Sequence, residues 1–432
     1  MDGTGDETSS SGGRRFSRVL WGGRITKWKG RAASCAPCLA EVFAGAALRA
    51  LPVLLGVGLT AGTAMGQVII EAPDDSNGRT LYWKPDWSGE DLGGNGEWSR
   101  FVTAWNEMPD GTGYPLSWEN SASAVFAGKP GTVVLGDGVV TVRDVIFRTG
   151  GYHITGDFLE LHRDSSIYLM GTTVDATIER INVKESDHAH VRGGGTLTIT
   201  QQVYAPGVSL QLEGAALWMD NSQYWGQGGG SIVLTGGVTP DASLVVTGPN
   251  GSVQAERLEL GDSNRGGKLS VVVQDRAQVE LEKHLYFAQD AGVESDVKVS
   301  GTGSRLQAPE ILIHHQKNAV LEATGGGTIA ADLVQVGEKG HEPLPGGTAA
   351  LVNVSGAGSL LSARQLYIRH KNAAVWAVNG GRIDTESLQM GESAQEDPGV
   401  ATIYVSGTGS TMHVAQETTL NYGMLTVRGG AE

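Results

Sequence analysis

Side chains able to do chemistry are sparse in this 432-residue chain, and none stands at a spacing that completes a site. Gly261-Asp262-Ser263 is the one phrase in which a serine nucleophile would sit. Such a serine needs a base and an oxyanion site, and the following Asn264-Arg265-Gly266-Gly267 signals neither. Leu258 to Asp262 reads as a strand running into a turn, so turn chemistry explains the serine. His188 and His190 stand two apart in ESDHAHVRGGG, where strand alternation puts both on one face, a geometry compatible with metal binding. No third ligand accompanies them, nor the adjacent His314 and His315, and exposed polar positions account for all four. Cys35-Ala36-Pro37-Cys38 has redox-pair spacing but no thioredoxin-like strand and helix around it. Gly93-Gly94-Asn95-Gly96-Glu97 is a single glycine-rich acidic turn, whereas calcium sites of that kind are built from stacked copies. Paired glycosidase carboxylates need proximity in space, and the chain has no singular acidic cluster. No catalytic, cofactor-binding or metal-ligating residue is assigned, no cofactor is expected, and the chain reads as a non-enzyme.

The elements that would position any such residue are strands. Gly is the commonest residue, 64 of 432, and aromatics make up 6%, a balance that favours many short strands joined by tight turns. One phrase recurs: VTGPNGS from Val246, then VSGTGS from Val299, VSGAGS from Val354 and VSGTGS from Val405. A period near fifty marks an array. Longer matches accompany it, EILIHHQKNAVLEATGGGTI from Glu310 with RQLYIRHKNAAVWAVNGGRI from Arg364, and LVQVGE from Leu333 with SLQMGE from Ser387. Within each fragment apolar and polar residues alternate, Val352-Asn353-Val354 and Ile403-Tyr404-Val405 for example, as in a strand with one buried face. Gly pairs such as Gly325-Gly326 and Gly380-Gly381 then turn the chain. Each unit holds too little apolar surface for a globule, but stacking buries one continuous inner face. The expected fold is all-β, a right-handed parallel β-helix of some fifteen coils, a rod on the order of 70 Å long at the spacing between strands.

The N-terminus is built differently. Residues 1–66 hold eight Lys/Arg against four Asp/Glu, leaving a charge of −19 on the other 366 residues. A body this acidic argues against a nucleic-acid partner. The basic stretch from Arg14 to Arg31 precedes an uncharged run from Ala50 to Ile70, and Ala64-Met65-Gly66 closes it with small residues. This is the order of a cleaved signal peptide, with the mature chain beginning near Gln67. Both cysteines fall in that segment, and a thiol-free body suits passage through an oxidising compartment. A Trp-rich stretch with Trp83, Trp87, Trp98, Trp105 and Trp118 follows. It is expected to cap the first coil, since an uncovered strand edge invites aggregation; a sugar platform is the alternative.

The long leader, with FSRVLW from Phe16 and Trp28 ahead of its apolar run, resembles the extended signal peptides of large bacterial autotransporters. Phe147 to Asn182, with GGYHITG and LELH, followed by GGGTLTIT from Gly193, resembles the autotransporter-associated β-strand repeat, and the VSGxGS units resemble a second repeat of such passengers. The resemblance implies four regions: an extended signal peptide at 1–66, a Trp-rich cap at 67–122, a β-helix with the strand repeat at 123–245, and a β-helix of VSGxGS repeats at 246–432. It implies a type V secretion passenger acting as a surface adhesin or structural scaffold, with a host-cell, matrix or glycan ligand and a cell-surface or secreted location when joined to a translocator barrel. A secreted β-helical carbohydrate-active enzyme, or an inert secretion stalk from a disrupted gene, is the alternative. No barrel follows in this sequence, and GMLTVRGG from Gly423 matches the middle of a repeat. A truncated passenger confined to the periplasm is the corresponding expectation.

Overall fold

The computed structural model describes residues 78–432, apart from 90, 137–138, 185–187, 237–240, 262–266, 289, 315, 338–349, 370–371 and 392–400. The leader and its cleavage point, both cysteines, Asp262-Ser263 and His315 lie outside the described residues. Among the described residues every regular element is a β-strand, and all are joined in one hydrogen-bonded system. Thr80–Trp83 meets Trp105–Asn106 antiparallel. Elsewhere strands stack in parallel, typically each on the strand two places further along the chain. The fold is a parallel β-solenoid.

From residue 252 onward each turn follows one plan. Asp290–Ser300 forms a first face, residues 301–304 turn the chain, and Arg305–Ile313 covers two further faces by bending once. Burial marks the bend: the inward residues run Leu306, Ala308, then Ile311 and Ile313. Strict alternation would step by two; the step of three carries the chain round a corner. Val253, Ala255, Leu258 and Leu260 repeat the pattern.

The interior is a set of columns. Val246, Val273, Val299, Ala323, Val354, Ala377 and Val405 are partners on successive turns, all buried. The recurring phrase starts at Val246, Val299, Val354 and Val405, every second member of this column. One sequence repeat therefore spans two turns, and a turn takes about 26 residues, as the Ser270 to Asp296 hydrogen bond across adjacent turns shows. Among the described residues, coils of that length stack fourteen strands, from Gly96–Trp98 to Met424–Arg428, in one column.

The two turns of a repeat differ at one corner, which accounts for the phrase. In VSGAGS, Gly356 and Gly358 have φ of 89° and 81°, values that L side chains rarely adopt. Ser359 is buried, and its Oγ accepts the Gly326 N–H at 3.1 Å while donating to Ser355 O at 2.7 Å. Ser410 does the same with Gly380 and Ser406 at 2.9 and 2.7 Å, and Ser304 accepts the Arg276 N–H at 3.0 Å. The partner corners carry consecutive left-handed residues, Asp275-Arg276 and Asn379-Gly380 among them. Each serine thus clips one corner onto its neighbour. Ser359→Ala is expected to cost about 1 kcal/mol, the net worth of a hydrogen bond, read as a lower urea midpoint.

At the N-terminal end Thr80–Trp83 and Gly96–Trp98 supply the first strands, pairing with Ser123–Phe126 and Thr132–Leu135. Trp83, Trp98, Trp105 and Trp118 are buried there, with ring centroids 4.7–5.1 Å apart between neighbours. Phe126 lies beneath them, stacked on Phe147 at 5.2 Å. Trp87 is half-buried and donates to Thr103 O at 2.8 Å. The four buried rings plug the interior and offer no face to a sugar. The Gly93–Glu97 tract fastens this plug: Gly94 N–H donates to Lys129 O, the Trp83 indole donates to Gly94 O, and Asn95 Oδ1 accepts the Thr132 N–H.

Candidate binding face

His188–Gly193 presents His188, His190 and Arg192 outward, so the two histidines do share a face, their rings 6.4 Å apart. Their neighbours come from adjacent turns. His190 Nδ1 lies 2.7 Å from the Glu213 carboxylate, Arg192 reaches the same oxygen at 3.1 Å and the Tyr168 hydroxyl at 3.5 Å, and the Gln211 amide is 3.3 Å from His188 Nδ1. A guanidinium 3.1 Å from His190 Nδ1 opposes a second cation there. Among the described residues no group of three or more His, Cys, Asp or Glu could hold a metal ion. His314 packs edge-on against Tyr286 at 4.9 Å.

Burial works to raise the Glu213 pKa, but the hydrogen bonds and charges of His190 and Arg192 outweigh it and hold the carboxyl below its ordinary range. A carboxylate with a depressed folded-state pKa adds stability above its unfolded pKa and loses it as pH falls through the folded value. The destabilisation caused by Glu213→Gln is therefore expected to be full at pH 7 and to shrink below about pH 4.5, as urea midpoints of both proteins across pH 3–7 would show.

A different outward column carries two of the exposed aromatic residues, Tyr204 and Trp225. Asn182, Tyr204, Trp225, Gln254, Glu280 and Gln307 are partners on successive turns of the second face. Tyr204 is 44% and Trp225 37% exposed. Beside them runs a second amide-rich column, Gln202, Gln223, Ser252, Gln278 and Arg305. The Trp225 indole donates to Gln223 Oε1 at 3.3 Å, and the Gln227 amide donates to Gln254 Oε1 at 2.9 Å. Next to Trp225 the strand Gln223–Thr235 makes an excursion between Gly226 and Ser231, where Gly228 and Gly229 have φ of 81° and 112°. A shallow groove continues past it, lined by Ser252, Gln254, Gln278, Glu280, Arg305 and Gln307.

Reading the sequence for reactive side chains passes over this face, because none of its members is a nucleophile or a metal ligand. The available signal was alternation in SQYWGQ: an inward Tyr224 forces Trp225 outward.

The fold is a β-solenoid whose inner columns are apolar, an architecture consistent with an autotransporter passenger. The sequence agrees: the chain is 25% identical over 429 residues to the "Adhesin BmaC autotransporter" of Brucella suis biovar 1 (strain 1330), the match covering 93% of this chain. The chain spans about an eighth of that relative, 12% of its length. No family model matches the chain, and no solved structure matches it.

Proposed function

We propose that this chain is a ligand-presenting solenoid segment of an exported surface adhesin. The carrying observation is the exposed Tyr204–Trp225 pair set in rows of amides on an otherwise polar lateral face. Similarity to a protein named as an autotransporter adhesin supports the reading, as does the parallel solenoid, which holds outward side chains in long fixed arrays. Export would follow from the basic-then-apolar leader, with the mature chain starting near Gln67 and displayed at the cell surface through a translocator barrel. Glycan hydrolysis needs two carboxyl groups flanking the scissile bond, whereas Glu280 is the one carboxylate lining the groove. Binding without turnover is the result expected.

The test is a binding screen of the purified chain against host cells, matrix proteins and immobilised glycans. Saturable binding to at least one class is expected. No binding to any of them would overturn the adhesin reading, and polysaccharide turnover abolished by a single Asp or Glu substitution would replace it with the enzyme.

A further inference from the structure

We infer that the ligand of the Tyr204–Trp225 face is an uncharged oligosaccharide lying along the solenoid axis. This deepens the adhesin reading and rests on it. Three features of the face select the chemistry.

Tyr204 and Trp225 are in register on adjacent turns, their backbones about 4.8 Å apart along the stack, so two exposed aromatic side chains stand in one column. An aromatic face takes the C–H side of a pyranose ring, and the polar tips of Tyr and Trp stay wet beside it. The rest of the column and its neighbour are dominated by amides: Asn182, Gln202, Gln223, Gln254, Gln278 and Gln307. An amide offers both a donor and an acceptor, which is what a sugar hydroxyl requires. An array repeating once per turn suits a ligand that is itself a repeating chain.

Charge decides between kinds of glycan. The region beyond residue 66 carries −19, while Glu280 and Arg305 offset one another within the groove, so the field of the whole body repels a polyanionic glycan and the groove has no net charge to recruit one. Pre-organisation favours binding as well: Trp225 is oriented by Gln223, and Gln254 by Gln227, which lowers the ordering cost. The buried tryptophans near the N-terminus, weighed from the sequence as a sugar platform, do not have this access.

The test uses the full chain with hexasaccharides of neutral cello-, chito-, laminari- and manno-series, first immobilised, then by titration calorimetry with the best binder. Trp225→Ala and Tyr204→Ala are each expected to weaken binding at least about ten-fold. Trp225→Phe should retain most of the affinity, which separates a lost platform from a lost fold. Tyr114→Ala, at a residue 82% exposed in an N-terminal loop, should bind like the parent. Failure to bind every neutral hexasaccharide, preference for a charged glycan, or undiminished affinity in Trp225→Ala would each overturn the inference. Binding to cells or matrix protein that survives Trp225→Ala, with no glycan bound, would sink the saccharide while leaving the adhesin standing. A chain that binds nothing would sink both.

Discussion

Trp105→Ala is expected to destabilise the N-terminal turns by about 3–5 kcal/mol, the range for removing a large buried aromatic. Trp105 is fully buried, with its ring centroid within 5.1 Å of Trp83, Trp98 and Trp118 and 5.8 Å from Phe126, so truncation takes the centre out of the plug. Its Nε1 and that of Trp98 have no hydrogen-bond partner. The stabilisation is therefore packing, and Trp105→Phe should recover much of it. Because each solenoid turn touches only its neighbours, the loss should be local. Hydrogen exchange would show Thr80–Trp83 and Ser123–Phe126 opening early while Leu360–Ile368 keeps its protection. Uniform loss of protection along the chain would show that the plug acts on the whole stack as one cooperative unit.

Leu321→Asp is expected to cost more than about 4 kcal/mol, because it leaves an unpaired carboxylate in the interior. Leu321 is fully buried between its partners Val297 and Val352, which are equally buried. No polar neighbour in that column can pair with the charge. Thr324→Asp, three residues along the same strand but outward between Ser300 and Ser355, is expected to stay within about 0.5 kcal/mol of the parent. Urea unfolding followed by far-ultraviolet circular dichroism measures both. A small effect at Leu321 would mean that the turns on either side can separate and repack without it.

The sequence by itself determined the repeat, the strand alternation and the existence of one continuous apolar inner face. Apolar residues at every second position, between glycine pairs at a recurring interval, leave a chain of this composition little choice but to stack its strands. The acidic body and the leader pattern were equally legible, since charge and hydropathy are linear properties. The resemblance to autotransporter passengers was carried by local phrases and agrees with the Brucella adhesin match.

Tertiary structure alone decided how much chain a turn takes, and which aromatics are hidden. The 53-residue period is two turns because Ser359 and Ser410 join unlike corners, a pairing between residues some thirty positions apart that no local window contains. Trp98 and Trp225 look alike in one dimension, one in GEW and the other in QYW. The first is fully buried and the second 37% exposed, because the face a strand residue takes depends on its register within the stack. His190 likewise received its Glu213 partner only when the turns were laid side by side. Parallel pairing between turns brings together residues about 26 apart, so the columns that stabilise the interior and those that would bind a ligand exist only once the chain has coiled.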